Sequence, residues 1–151
     1  MLKSLHHVGM VVEDMARSLA FYQELLGGTV GLDLAMDLPA FAAGVGIPDA
    51  KARIVFLQLP GISSSVELIQ YLSPVGKPAA SNSPSNTPGR AHVAFQVADI
   101  HETYDSFQKK GVKFLSRPSV FPADHPQLGG VAFCYFQDPD GGLLELIETP
   151  A

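Results

Sequence analysis

Ala91-His92-Val93-Ala94-Phe95-Gln96-Val97-Ala98-Asp99-Ile100 reads as a second copy of His6-His7-Val8-Gly9-Met10-Val11-Val12-Glu13-Asp14-Met15. At an offset of 92 − 7 = 85, His7/His92, Val8/Val93, Val12/Val97 and Asp14/Asp99 are identical and Met15/Ile100 is conservative. A second pair, Val66-Glu67-Leu68-Ile69 and Leu144-Glu145-Leu146-Ile147, recurs at 145 − 67 = 78. Self-similarity organises a fold before any local propensity does. The chain is therefore an internal duplication, each half running His and then, much later, Glu. The drift from 85 to 78 needs only shorter connections in the second half.

Outward from these stretches, alternation over Leu5 to Val12 puts Val8, Met10 and Val12 on one face of a strand and His7, Gly9 and Val11 on the other. Asp14 then offers an N-cap, Met15, Leu19, Tyr22 and Leu26 recur at helical spacing, and Gly27 supplies the stop. The copy repeats the plan with Asp99 as cap, Glu102 completing a capping-box pattern, and Ile100, Tyr104 and Phe107 before Gly111. Each helix is expected to cover the valine face of its sheet, leaving the histidine face open. Thr29 to Leu34 reads as a strand, and Pro39 to Asp49 as an excursion with one short helical turn; Pro118 to Gly130 is its counterpart. Arg53 to Leu59 and Val66 to Tyr71 flank Pro60-Gly61-Ile62-Ser63-Ser64-Ser65 as a hairpin, and Val131 to Phe136 and Leu143 to Ile147 flank Asp138-Pro139-Asp140-Gly141-Gly142 likewise. The pattern predicts an α+β protein of two tandem βαβββ modules, at about 4–72 and 90–149, joined by a Pro-, Ser- and Asn-rich linker at about 73–89.

At 151 residues the chain fits one domain, 1–151, large enough to bury a core. A net charge of −5 without any Lys/Arg cluster argues against nucleic acid and anionic membrane surfaces and for a small-molecule partner. Cys134, the sole cysteine, forms no internal disulfide and reads as a small buried hydrophobe. With no apolar run resembling a signal peptide or membrane span, the expected location is cytoplasmic.

Glu67 shares its strand face with Ile69, and Glu145 shares its face with Ile147. A strand carboxylate bracketed by apolar neighbours is uncommon unless it is paired or binds a metal. His6 and His7 compete for the first histidine position and would point to opposite faces of a strand. The repeat selects His7, which matches the His-Val-small pattern of His92-Val93-Ala94. His101 and His125 do not recur and are read as ordinary surface or core residues. Joint recurrence points to one shared metal site of His7, Glu67, His92 and Glu145, formed when the two sheets close into a cleft. Imidazole and carboxylate donors suit Zn, Ni, Fe, Mn or Co, and four of them leave two octahedral positions for a chelating substrate. Val11, Ile69, Gln96 and Ile147 are expected to line the pocket.

On His7, Glu67, His92 and Glu145 within paired βαβββ modules, the chain resembles the vicinal oxygen chelate superfamily. That superfamily includes glyoxalase I, methylmalonyl-CoA epimerase, extradiol dioxygenases, and fosfomycin and bleomycin resistance proteins. The sharpest motifs are His7-Val8-Gly9, the Asp14-to-Gly27 helix with Phe21-Tyr22, and Phe136-Gln137-Asp138-Pro139-Asp140-Gly141 leading to Leu144-Glu145-Leu146-Ile147-Glu148. The full His, Glu, His, Glu set looks like that of glyoxalase I. Ile47-Pro48-Asp49 ahead of Ile54-Val55-Phe56-Leu57 resembles the epimerases, which carry Gln where this chain has Glu67. Gly31-Leu32-Asp33-Leu34-Ala35-Met36-Asp37 lacks the basic residues that anchor the glycyl carboxylate of glutathione, which argues against glutathione.

The resemblance implies a divalent-metal-dependent, glyoxalase-like isomerase, epimerase or lyase that acts on a small carbonyl compound through a metal-stabilised enediolate. Glu67 or Glu145, loosely bound or displaced from the metal, would be its general base. One alternative is an Fe(II) or Mn(II) extradiol ring-cleaving dioxygenase using His7 or His92 with Glu145. Another is a non-catalytic, drug-binding resistance protein. Two half-sites and open sheet edges further imply a homodimer.

Overall fold

Asp14 caps the start of the first helix. β1 (His7–Val11) leads into α1 (Met15–Leu26), where an Asp14 carboxylate oxygen accepts from the Arg17 backbone N–H at 2.9 Å. The helix stops at Gly27, left-handed at φ 67°, a conformation that glycine adopts without Cβ strain. Met15, Ser18 and Tyr22 form its buried stripe, and the Tyr22 hydroxyl donates to Met10 Sδ at 2.7 Å. The valine face of β1 thus lies under α1, as the alternation predicts. Ser18 sits in that stripe although it is polar.

The computed structural model describes residues 1–77 and 84–150, and the chain divides into two units, Met1–Ala79 and Ala80–Ala151. Unit 1 continues with β2 (Thr29–Met36), α2 (Pro39–Val45), β3 (Lys51–Gln58) and β4 (Ser65–Ser73). Its sheet runs β1-β4-β3-β2, parallel between β1 and β4 and antiparallel elsewhere. Val55, Leu57, Val66 and Leu68 are buried on the α1 side. The Pro39 segment is more helical than the expected single turn. Pro39 starts α2 with its φ already set, Ala40, Ala42 and Ala43 favour helix, and Gly46 at φ 70° ends it. Phe41 stacks on Tyr71 with ring centroids 6.2 Å apart, holding α2 against β4.

Unit 2 comprises β5 (His92–Gln96), α3 (Ile100–Lys109), β6 (Lys113–Phe114), β7 (Ser119–Val120), β8 (Ala132–Gln137) and β9 (Leu143–Glu148). The sheet order is β5-β9-β8-β6, with β7 also on β8 and β5 parallel to β9. Where unit 1 has one long second strand, unit 2 has two short pieces. Pro118, which has no N–H to give a ladder, falls between them. Ile100, Tyr104 and Phe107 of α3 are buried, as are Cys134, Phe136, Leu144 and Leu146 of the sheet; Phe107 meets Phe136 edge-on at 5.8 Å. Each fully buried leucine or phenylalanine here contributes roughly 1.5–3 kcal/mol.

The expected linker includes residues 78–83, which lie outside the described residues. β4 runs through Ser73, and the described remainder, 74–77 and 84–89, contains no helix or strand. Among the described residues, no helix is long and apolar enough to cross a membrane.

Candidate functional site

Each unit builds the same local arrangement. In the parallel β1–β4 pair, Gly9 stands opposite Glu67, so His7, two residues back, is a diagonal neighbour on the same face. In the β5–β9 pair, Ala94 stands opposite Glu145 and His92 occupies the same diagonal. The long glutamate side chain reaches along the strand to the imidazole. His7 Nε2 lies 3.2 Å from a Glu67 carboxylate oxygen, and His92 Nε2 lies 3.0 Å from a Glu145 carboxylate oxygen.

The small residues at Gly9 and Ala94 leave this path open. A Cβ on Gly9 would lie 3.1 Å from the nearer Glu67 oxygen, so even alanine would crowd that carboxylate. Side-chain exposure is 37% for His7 against 12% for Glu67, and 42% for His92 against 10% for Glu145. The carboxylates are thus sunk between neighbours while the imidazoles face outward, and a buried carboxylate requires such a partner.

Two aromatic residues that the duplication pattern did not single out complete the pairs. Phe56 stands opposite Glu67 and meets the His7 ring edge-on at 5.6 Å. Tyr135 stands opposite Glu145 and meets the His92 ring edge-on at 5.2 Å. Their offset, 135 − 56 = 79, nearly matches that of the glutamates, so an aromatic at equivalent strand positions was the available signal. The two sites differ at this point, since only Tyr135 carries a hydroxyl. Burial, and then the Glu145 carboxylate, hold that hydroxyl above the ordinary phenol range. Beyond Tyr135 the same face continues through Phe133, 6.0 Å away, and Phe121, stacked on Phe133 at 5.4 Å.

The other expected residues lie on these faces. Val11 pairs with Ile69 and Gln96 with Ile147; Gln96 donates to the Thr149 hydroxyl at 2.8 Å. His6 departs from expectation. It precedes β1, so strand alternation does not govern it, and its Nδ1 lies 2.8 Å from His7 Nδ1. His101 is exposed on α3, and His125 Nδ1 accepts from the backbone N–H groups of Gln127 and Leu128, a local loop role.

The donor set fits a divalent cation. Two ligands in adjacent octahedral positions with bonds of about 2.1 Å stand about 3.0 Å apart, close to the separation found in both pairs. One pair supplies only two ligands. Among the described residues, no group of three or more His, Cys, Asp or Glu side chains is gathered in a form that could hold a metal.

Comparison with known proteins identifies the family. A family model for the Glyoxalase/Bleomycin resistance protein/Dioxygenase superfamily matches residues 4–146. A 2-epi-5-epi-valiolone epimerase of Actinomyces sp. is 31% identical over 157 residues, covering 98% of this chain and 80% of that protein. An ethylmalonyl-CoA/methylmalonyl-CoA epimerase of Cereibacter sphaeroides is 28% identical over 154 residues, covering 99% of this chain and 100% of that protein. Among solved structures, a glyoxalase family protein from Bacillus cereus superposes with a TM-score of 0.86 at 22% identity, covering 100% of this chain and 97% of that one.

Proposed function

This chain belongs to the Glyoxalase/Bleomycin resistance protein/Dioxygenase superfamily, and on that premise we propose that it is a divalent-metal-dependent epimerase or isomerase of a small carbonyl compound. The observation that carries the reading is the duplicated imidazole–carboxylate contact, at 3.2 Å in one unit and 3.0 Å in the other. The two similar epimerases are named for different substrates, 2-epi-5-epi-valiolone in one case and ethylmalonyl-CoA and methylmalonyl-CoA in the other. Both are epimerases by name, and proton exchange at a carbon beside a carbonyl is the inversion chemistry that a carboxylate pair with a Lewis acid would serve.

His7, Glu67, His92 and Glu145 would hold the cation once the two half-sites meet, within one chain or between two chains of a homodimer. A bound divalent cation supplies a Lewis acid that lowers the cost of removing a proton from the carbon beside a carbonyl. The chain provides the base. In this reading one glutamate, as a carboxylate displaced from the cation, would take the proton onto an oxygen, and the other, entering the step as the protonated acid, would return one to the other face of the flattened carbon, so that the pair as a whole neither gains nor loses a proton. The rings of Phe56 and Tyr135 cover one side of each His–Glu pair. The Tyr135 hydroxyl, kept protonated by its setting, can donate to a substrate oxygen beside His92. Phe133 and Phe121 offer a flat apolar wall for the rest of the substrate.

The test is deuterium uptake from D2O at the carbon next to the carbonyl. The panel comprises 2-oxo acids, cyclitol ketones and 2-branched acyl-CoA thioesters, each with Mn, Co, Ni or Zn. Uptake is expected for at least one class, to be lost on chelation, and to fall by at least about 100-fold in Glu145→Gln. A chain that binds none of these metals, or that opens catechol rings with consumption of oxygen, overturns the reading.

A further inference from the structure

His6 has no counterpart in the second unit, where Ala91 precedes His92. Its ring stands edge-on to that of His7, centroids 5.0 Å apart, with the two Nδ1 atoms at 2.8 Å. Two imidazole nitrogens at this distance share one proton, one donating and the other accepting. Both nitrogens of His7 are therefore engaged, Nδ1 with His6 and Nε2 with Glu67.

The direction of these bonds depends on what occupies Nε2. A carboxylate only accepts, so a neutral His7 that donates Nε2–H to Glu67 must accept at Nδ1 from His6. If Nε2 instead gives its lone pair to a cation, the His7 proton must sit on Nδ1 and be donated to His6. The His6 proton then moves to its own Nε2, on a residue that is exposed. Both rings stay neutral and no proton is gained or lost by the pair. An imidazole serves equally in either direction, as a backbone carbonyl does not.

We infer that His6 is a positioning residue for His7, orienting the ring and accepting Nδ1–H in the tautomer that can ligate through Nε2. The inference rests on the reading of His7 as a ligand. It gives the first half-site an adjustable support that the second lacks.

Zinc affinity of the full chain, measured by competition with a chromophoric chelator, tests it. His6→Ala is expected to weaken binding by about tenfold, the lower end for a group supporting a ligand histidine, because water can partly replace an exposed ring. His6→Asn, whose amide oxygen sits where Nδ1 was, is expected to stay close to wild type. A slowly exchanging His7 Nδ1–H resonance is expected in the zinc-loaded wild type and in His6→Asn, but not in His6→Ala. Wild-type affinity in His6→Ala, where His7→Ala is severely impaired, overturns the inference and leaves the ligand reading standing. Equal losses in His6→Ala and His6→Asn also overturn it. Unchanged affinity in His7→Ala overturns the ligand reading itself.

Discussion

Glu67 and Glu145 are flanked along their strands by Val66, Leu68, Leu144 and Leu146, all buried, so each carboxylate is held at the boundary of an apolar core. An imidazole across the strand pair answers each one. The opposite face of β8 treats a polar atom differently. Cys134 points into the core, where burial first and then the Glu145 carboxylate push its thiol up from 9.0 to about 11. The thiolate is the reactive form, and at pH 8 a thiol held this high is ionised about 100-fold less often than in the unfolded chain. The native chain is therefore expected to resist iodoacetamide at pH 8, while the urea-unfolded chain reacts fully, as mass spectrometry would record. Because this pKa is raised on folding, its contribution to stability is complete below about pH 9 and is lost as pH rises through about 11.

At the scale of elements, the duplication extends to how each helix is fastened to its sheet. In unit 1 the Gln70 side-chain oxygen accepts from the Met15 backbone N–H at 3.3 Å, and its amide donates to the Glu13 carbonyl at 2.9 Å. In unit 2 Glu148 accepts from the Ile100 N–H at 2.7 Å, beside Asp99, which caps Glu102 N–H at 2.8 Å. Gln70 and Glu148 are 148 − 70 = 78 apart, the offset of the proposed glutamate ligands. The last strand of each unit thus carries both a site carboxylate and the clasp for its helix. Glu148→Ala leaves the N–H of the buried Ile100 without this acceptor and is expected to destabilise the chain by about 1 kcal/mol. Glu148→Gln, which copies unit 1, should recover most of that loss in urea melts.

At the scale of the molecule, each unit presents one His–Glu pair on an open sheet face, and large apolar side chains remain exposed, among them Val11 and Leu32 in unit 1 and Leu115 and Val120 in unit 2. Exposed apolar surface of this kind favours association, and symmetric pairing is its commonest form. The chain is expected to sediment as a homodimer at micromolar concentration, and an active monomer there would refute this. Mixing inactive His7→Ala and His92→Ala chains then locates the site. If sites are shared, half of the dimers are mixed and one of their two sites is intact, so about a quarter of wild-type activity returns. If each chain builds its own site, none returns.

The duplication, the two capped helices and the strands that carry each histidine and each glutamate were all legible in the amino-acid order alone. They depend on periodicity and recurrence, which are local or copied and so survive without knowledge of neighbours. Tertiary structure decided what recurrence could not express. The diagonal from His7 to Glu67 depends on the β1–β4 register, which places residues about 60 apart in sequence side by side. The aromatic walls at Phe56 and Tyr135 arise from the antiparallel partner strand, which no spacing along β4 or β9 reveals. His6 turned toward His7 because it lies just outside the strand whose alternation was assumed for it. The second strand of unit 2 broke where proline could not join the ladder. In the first two cases the deciding contact was made by a residue distant in sequence, in the third the strand began one residue after His6, and in the last a backbone bond was withheld; none of these leaves a mark on the hydrophobic pattern.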